Sequence, residues 1–159
     1  MTKERRNFYI KWLLAIVWMV VIFKFSNDPA TVSDAKSGTV ITMFDSLGLN
    51  LNSLLGTLAN FIVRKTAHFT EFLILYVFLY KALSESFPKK RVLIMALIFT
   101  FLYACSDEFH QTFIPGREGR FRDVLIDTSG GIAAFIYFYF SQPKKTLINL
   151  INSTFAEHK

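Results

Sequence analysis

The stretch "VLIMALIFTFLYACSDEFHQ" (residues 92–111) changes character partway along. Val92 to Cys105 is almost wholly apolar, and Ser106, Asp107, Glu108, His110 and Gln111 then stand directly against it. The first part is made for hydrocarbon. The second is not, because ionisable groups at membrane depth are costly and usually mark a site or a buried polar network.

Three further apolar runs accompany this one: Phe8 to Phe25, Ala67 to Leu83 and Val124 to Ser141. The chain of 159 residues is 52% hydrophobic with 18 phenylalanines, yet it also carries 18 basic and 12 acidic residues. A soluble domain of this size could not easily hide so much clustered apolar surface. The expected fold is an all-α membrane protein forming a single domain over residues 1–159. Four transmembrane helices are placed at approximately 8–26, 64–84, 91–112 and 123–141, with a cytoplasmic tail at 142–159. The apolar runs alone span only about 22 to 27 Å as helix, less than a hydrocarbon core of about 30 Å. Flanking polar residues must therefore continue the helices. The single cysteine, Cys105, excludes an internal disulfide and reads as a small core residue. "FKFSNDPATVSDA" offers no small-x-small cleavage motif, so the first run is read as a retained span and not a signal peptide.

With four spans, Lys3, Arg5, Arg6, Lys11, Lys81, "KKR" (89–91), Lys144, Lys145 and Lys159 share one side with only Glu4, Glu85 and Glu157. The positive-inside rule then places both termini in the cytoplasm. The high basic content follows from topology, and no nucleic-acid partner is expected. Seven basic and nine acidic residues fall on the other side, and Arg64, Lys65, Arg117, Arg120 and Arg122 crowd the helix ends there. Charge used only for orientation would avoid those positions.

Between the first two spans, Asp28-Pro29 ends the first helix. Leu47, Leu51, Leu54, Leu55, Leu58, Phe61 and Ile62 then recur at helical spacing. This predicts an amphipathic, interfacial, extracytoplasmic segment. Arg64, His68 and Glu71 fall at i, i+4 and i+7, one helical face. Asp107, His110 and Gln111 share another, with Glu108 turned about 100° away toward a different partner. Pro115-Gly116 marks a turn. Asp123, Asp127 and Gly130-Gly131 repeat the spacing, with glycines that admit a neighbouring helix. All these groups, with Ser26, sit at the outer helix ends. The opening stretch thus reads as one wall of an outward-facing polar pocket. Trp12, Trp18, Tyr137 and Tyr139 read as lipid-facing or belt aromatics, and His158 as part of a polar tail.

"RKTAHFTEF" and "SDEFHQTFIPGREGRFRDVLIDTSGG", with "FKFSNDP" after the first run, resemble the VanZ-like family of bacterial membrane proteins over about Phe23 to Gly131. The family's characteristic positions map onto Ser26, Arg64, Lys65, His68, Glu71, Asp107, Glu108, His110, Gln111, Pro115, Gly116, Arg117, Asp123, Asp127 and Gly130. Asn27-Asp28-Pro29 stands where a Ser-Gln-Pro-like stretch is common. The resemblance implies a multi-pass protein of the bacterial plasma membrane and a lowered sensitivity to glycopeptides such as teicoplanin.

Three readings of the polar groups stay open. They can form a buried network that fixes helix packing or a partner interface. They can bind an anionic lipid or lipid-linked cell-wall precursor, with Arg64, Lys65, Arg117 and Arg120 on phosphates and Ser26, Glu108, Gln111 and Asp127 completing the pocket. Or they can catalyse transfer or hydrolysis of a phosphate-linked headgroup. In that case His68 or His110 is the general base, oriented by Glu71 or Asp107, with Asp123 alongside. "HFTE" and "DEFH" each pair a histidine with a carboxylate as a metal could use, and Asp123 and Asp127 could complete such a site. No HExxH-like signature is present, however, and Arg64 and Lys65 oppose a cation, so neither a metal nor a cofactor is expected.

Overall fold

The computed structural model describes residues 2–49 and 51–141; the tail at 142–159 expected in the cytoplasm lies outside them. Among the described residues every regular element is helical: α1 (Lys3–Ser26), α2 (Ala30–Ser46), the short α3 (Leu51–Leu55) with a 3₁₀ turn (Gly56–Leu58), α4 (Ala59–Leu83), α5 (Lys89–Gln111) and α6 (Phe121–Phe140). Thr2 caps α1 by accepting from the Arg5 amide at 3.4 Å. The helices do run past the apolar stretches, as length requires: α1 starts at Lys3, α4 at Ala59 and α5 at Lys89.

Three of them, α1, α5 and α6, are long and apolar enough to cross a membrane. Helix α4 carries Arg64, Lys65, His68 and Glu71 in its first half. The segment before α4 is not the continuous amphipathic helix expected. Gly48 takes φ +86° where α2 stops, and Gly56 takes φ +55° before the 3₁₀ turn. Both are left-handed conformations that glycine adopts at little cost. Phe61 and Ile62 consequently belong to α4, and α2 is an independent element that packs against α4.

Phe72, Leu75 and Tyr76 of α4 pack with Ile22 of α1, with Val92, Ala96 and Ala104 of α5 and with Ala134 of α6 to form the core. Polar tips inside it reach backbone carbonyls. Tyr76 Oη donates to Leu93 O at 3.2 Å, Tyr103 Oη to Met19 O at 2.6 Å and Trp18 Nε1 to Glu71 O at 2.9 Å. Trp18 is therefore a link from α1 to α4 and not a lipid-facing belt residue. Cys105 is half-buried against the core. Helix α6 can approach α4 because Gly130 faces it: a Cβ there would sit 2.1 Å from Phe69 O.

The two ends of the bundle differ in chemistry. At one, Lys11 pairs with Glu85, and Lys89 Nζ donates to Ser141 O at 2.9 Å. These contacts gather the start of α1, the α4–α5 loop, the start of α5 and the end of α6. The other end gathers the polar motifs.

Candidate functional site

Helix α1 stops at Ser26, whose buried hydroxyl donates to Asp107 Oδ2 at 2.7 Å. Gln111, one turn beyond Asp107 on α5, donates to the same oxygen at 3.0 Å. The side-chain carbonyl of Gln111 accepts from Arg117 Nη1 at 3.3 Å. Arg117 also donates from Nε to Asp28 O at 3.0 Å and from Nη2 to Phe25 O at 3.4 Å. One chain of hydrogen bonds thus ties the end of α1 to α5 and to the turn after it. Pro115-Gly116 makes that turn with Gly116 at φ +73°, and Pro115 O accepts from the Ala30 amide at 3.2 Å, which anchors α2. Burial and the neighbouring Arg64 guanidinium draw the Arg117 pKa below the ordinary arginine value, with Asp107 and Asp28 opposing the shift.

The first half of α4 meets α6 and α2. Lys65 Nζ lies 2.7 Å from Asp123 Oδ2, and His68 Nδ1 lies 3.5 Å from Asp127 Oδ1. Arg64 pairs at 2.7 Å with Asp34 of α2, a partner with no sequence signal. Glu108, turned away from Asp107 as its position predicted, accepts from the Arg120 amide at 3.0 Å. The Arg120 guanidinium is exposed and hydrogen-bonded to Glu118, which raises its pKa.

Several of these groups line two neighbouring cavities. The first, of about 250 Å³, is lined by Arg64, Lys65, Arg117, Arg120 and Arg122, against Glu118 and Asp123. The second, of about 290 Å³, lies between α1, α2 and α4, where Glu71 and Lys36 join Phe25, Val40, Val63 and Ala67. Arg64, His68 and Arg117 face both.

Of the thirteen proposed residues, Arg64, Lys65, His68, Glu71, Gln111, Arg117, Arg120 and Asp123 line the cavities. Ser26, Asp107, Glu108 and Asp127 do not, but each pairs with a lining residue or with a neighbour of one. His110 stands apart from both groups. Its ring packs on Phe23 at 4.6 Å, its Nε2 lies 3.3 Å from Asn27 Oδ1, and it lines neither cavity. Sharing a face with Asp107 still leaves it about 60° around the helix, which points it at the end of α1. Of the two carboxylates expected to orient a histidine, Glu71 or Asp107, Asp107 lies close to His68, and the ion-pair partner of His68 is Asp127. Sequence reasoning flagged Arg122 only as one of the basic residues crowding the helix ends, and it missed Asp34 and Phe61 as site residues. Phe61 sits under the Lys65 ammonium at 5.7 Å and the Arg122 guanidinium at 5.6 Å.

A family model described as VanZ/LLP1 matches residues 11–142. No curated protein and no solved structure matches the chain.

Proposed function

The chain belongs to the VanZ/LLP1 family, and from that premise we propose that it binds an anionic, phosphate-bearing lipid headgroup in the outer leaflet of the bacterial plasma membrane. A phospholipid and a lipid-linked cell-wall precursor share the chemistry in question. The observation that carries the proposal is the first cavity, where five basic side chains face two acidic ones. A ligand phosphate would restore the balance, and arginine forks suit it bidentately. The volume of about 250 Å³ fits a headgroup better than a whole lipid. The adjoining cavity, walled by Phe25, Val40, Val63 and Ala67, would take the apolar stem below it.

In this proposal α4 is the fourth span, with its charged half covered by α1, α2 and α6 and so kept from lipid. Helix α2 lies at the outer interface, where its exposed Val40, Met43 and Phe44 can enter the headgroup region. Both termini are cytoplasmic, by the excess of basic residues at the Lys11 and Lys89 end. With Cys105 replaced by serine, a cysteine at Glu118 should react with a membrane-impermeant maleimide in intact cells, and one at Lys89 should not. Reaction at Lys89 alone would reverse the orientation.

A catalytic version rests on His68, which stands beside Asp127 and faces both cavities. There it could move a proton at a phosphate-linked headgroup held by the arginines.

Acting at the outer leaflet, the protein would alter how the cell meets glycopeptides that carry a lipid tail. Expression in a susceptible host should raise the inhibitory concentration of teicoplanin-like drugs several-fold and leave tail-less glycopeptides nearly unchanged. Arg117→Ala should erase the difference. Equal protection against both classes that survives this substitution would count against an outer-leaflet mechanism.

A further inference from the structure

Between α4, α5 and α6, His68 of the cavity wall meets two carboxylates that line neither cavity. His68, Asp107 and Asp127 each offer a donor atom, all within 4.8 Å of one another. The residues are 8%, 4% and 1% exposed. Among the described residues, His68 Nδ1, Asp107 Oδ1 and Asp127 Oδ2 are buried without a hydrogen-bond partner. Unpaired buried polar atoms are rare and call for an explanation.

We infer that His68, Asp107 and Asp127 together hold one divalent first-row transition-metal cation. An imidazole nitrogen and carboxylate oxygens are the donors that zinc, manganese and iron accept. Around one such ion, with bonds of about 2.0 to 2.2 Å and tetrahedral angles, donors stand about 3.3 to 3.6 Å apart. The three side chains would each have to draw inward by about an ångström at most to take that spacing. The charges also balance, since a neutral imidazole and two carboxylates match one divalent ion.

The cations that argued against a metal line the headgroup cavity, which Asp107 and Asp127 do not. Arg64 pairs with Asp34, Lys65 pairs with Asp123, and Arg117 donates to Asp28 O, Phe25 O and Gln111 Oε1. Among the described residues no lysine or arginine nitrogen forms an ion pair with Asp107 or Asp127. Asp107 is also prepared as a ligand. Ser26 and Gln111 hold its Oδ2, which is how outer hydrogen bonds orient a metal-bound carboxylate. The histidine–carboxylate pairs visible in the sequence each contribute one member, while Glu71 and His110 take no part. A metal-bound His68 would not be free to act as a general base.

A buried water or proton would satisfy the same atoms, and metal analysis separates the cases. The full chain, purified in detergent without chelator and with any affinity tag removed, is loaded with zinc, desalted and analysed by mass spectrometry. One zinc per chain is expected. Asp107→Asn and Asp127→Asn should each abolish it, and Ser26→Ala should weaken it by about 10- to 100-fold. Zinc-edge X-ray absorption on the unaltered protein should show one imidazole among oxygen ligands, and it decides alone if the variants fail to fold. Absence of zinc, a sulfur ligand, or zinc retained by both asparagine variants would overturn the inference. No lipid enters the experiment, so its failure leaves headgroup binding standing, and failure of lipid binding leaves the metal site standing.

Discussion

Gly130→Val is expected to leave almost no folded protein in the membrane. The position admits no side chain, because even a Cβ would sit 2.1 Å from Phe69 O and 3.0 Å from Leu73 N. Both obstacles are backbone of α4, so no rotamer change relieves them. The helices would have to part by more than an ångström, which pulls Asp127 from His68 and Asp123 from Lys65, since both pairs bridge α6 and α4. Overpacking commonly costs about 1 to 3 kcal/mol, and Gly130→Ala should fall at the top of that range. Valine adds two methyl groups and should exceed it. Accumulation of monodisperse protein in detergent, with its thermal midpoint, reads the effect. Gly38→Ala serves as the control, because nothing lies within 4 Å of the Cβ it would add. Wild-type stability in Gly130→Val would mean that α4 and α6 are packed otherwise.

Lys65→Met should destabilise the protein by about 3 kcal/mol, the lower end of the cost of breaking a buried ion pair. Lys65 and Asp123 lie 2.7 Å apart with side chains 17% and 12% exposed. Methionine fills much the same volume, so the loss isolates the charge left on Asp123. Arg122, at 3.8 Å from the other oxygen, is too exposed and distant to replace it. Adding Asp123→Leu to Lys65→Met should recover most of the stability, because paired charges replaced together by apolar groups are often neutral. Losses that merely add in the double variant would show that the pair is not coupled.

Much of this architecture was legible in the sequence. The apolar runs marked the helices, and the polar motifs at i, i+4 and i+7 marked the ends that would meet. The contacts between helices were not legible. Ser26 with Asp107, Lys65 with Asp123 and His68 with Asp127 are each joined by helix packing across 50 or more residues. Periodicity gives a helix its face but not its partner. The sequence offered Glu71 or Asp107 to orient a histidine, whereas the ion-pair partner of His68 is Asp127 of α6. Helix α2 was the larger gap: a stretch rich in Ser, Thr and Gly gave a weak helical signal, and Asp34 gave no sign that it would pair with Arg64. The metal-like cluster was legible in part: His68, Asp107 and Asp127 all stood among the possible ligands, but which of those groups meet depends on how three helices pack.

Headgroup binding itself is tested most directly with the purified chain in nanodiscs of neutral lipid. Labelled anionic phospholipid and a labelled polyprenyl pyrophosphate precursor are titrated in separately, and the lipid is afterwards recovered for mass analysis. Saturable binding of at least one anionic lipid is expected, with Arg64→Gln and Arg117→Gln each weakening it at least tenfold, about 1.4 kcal/mol. A recovered lipid of unchanged mass would mark binding alone, and a cleaved or transferred headgroup would mark chemistry at the same cavity. Affinity for both lipids equal to that for neutral lipid, and unchanged by either substitution, would contradict headgroup binding.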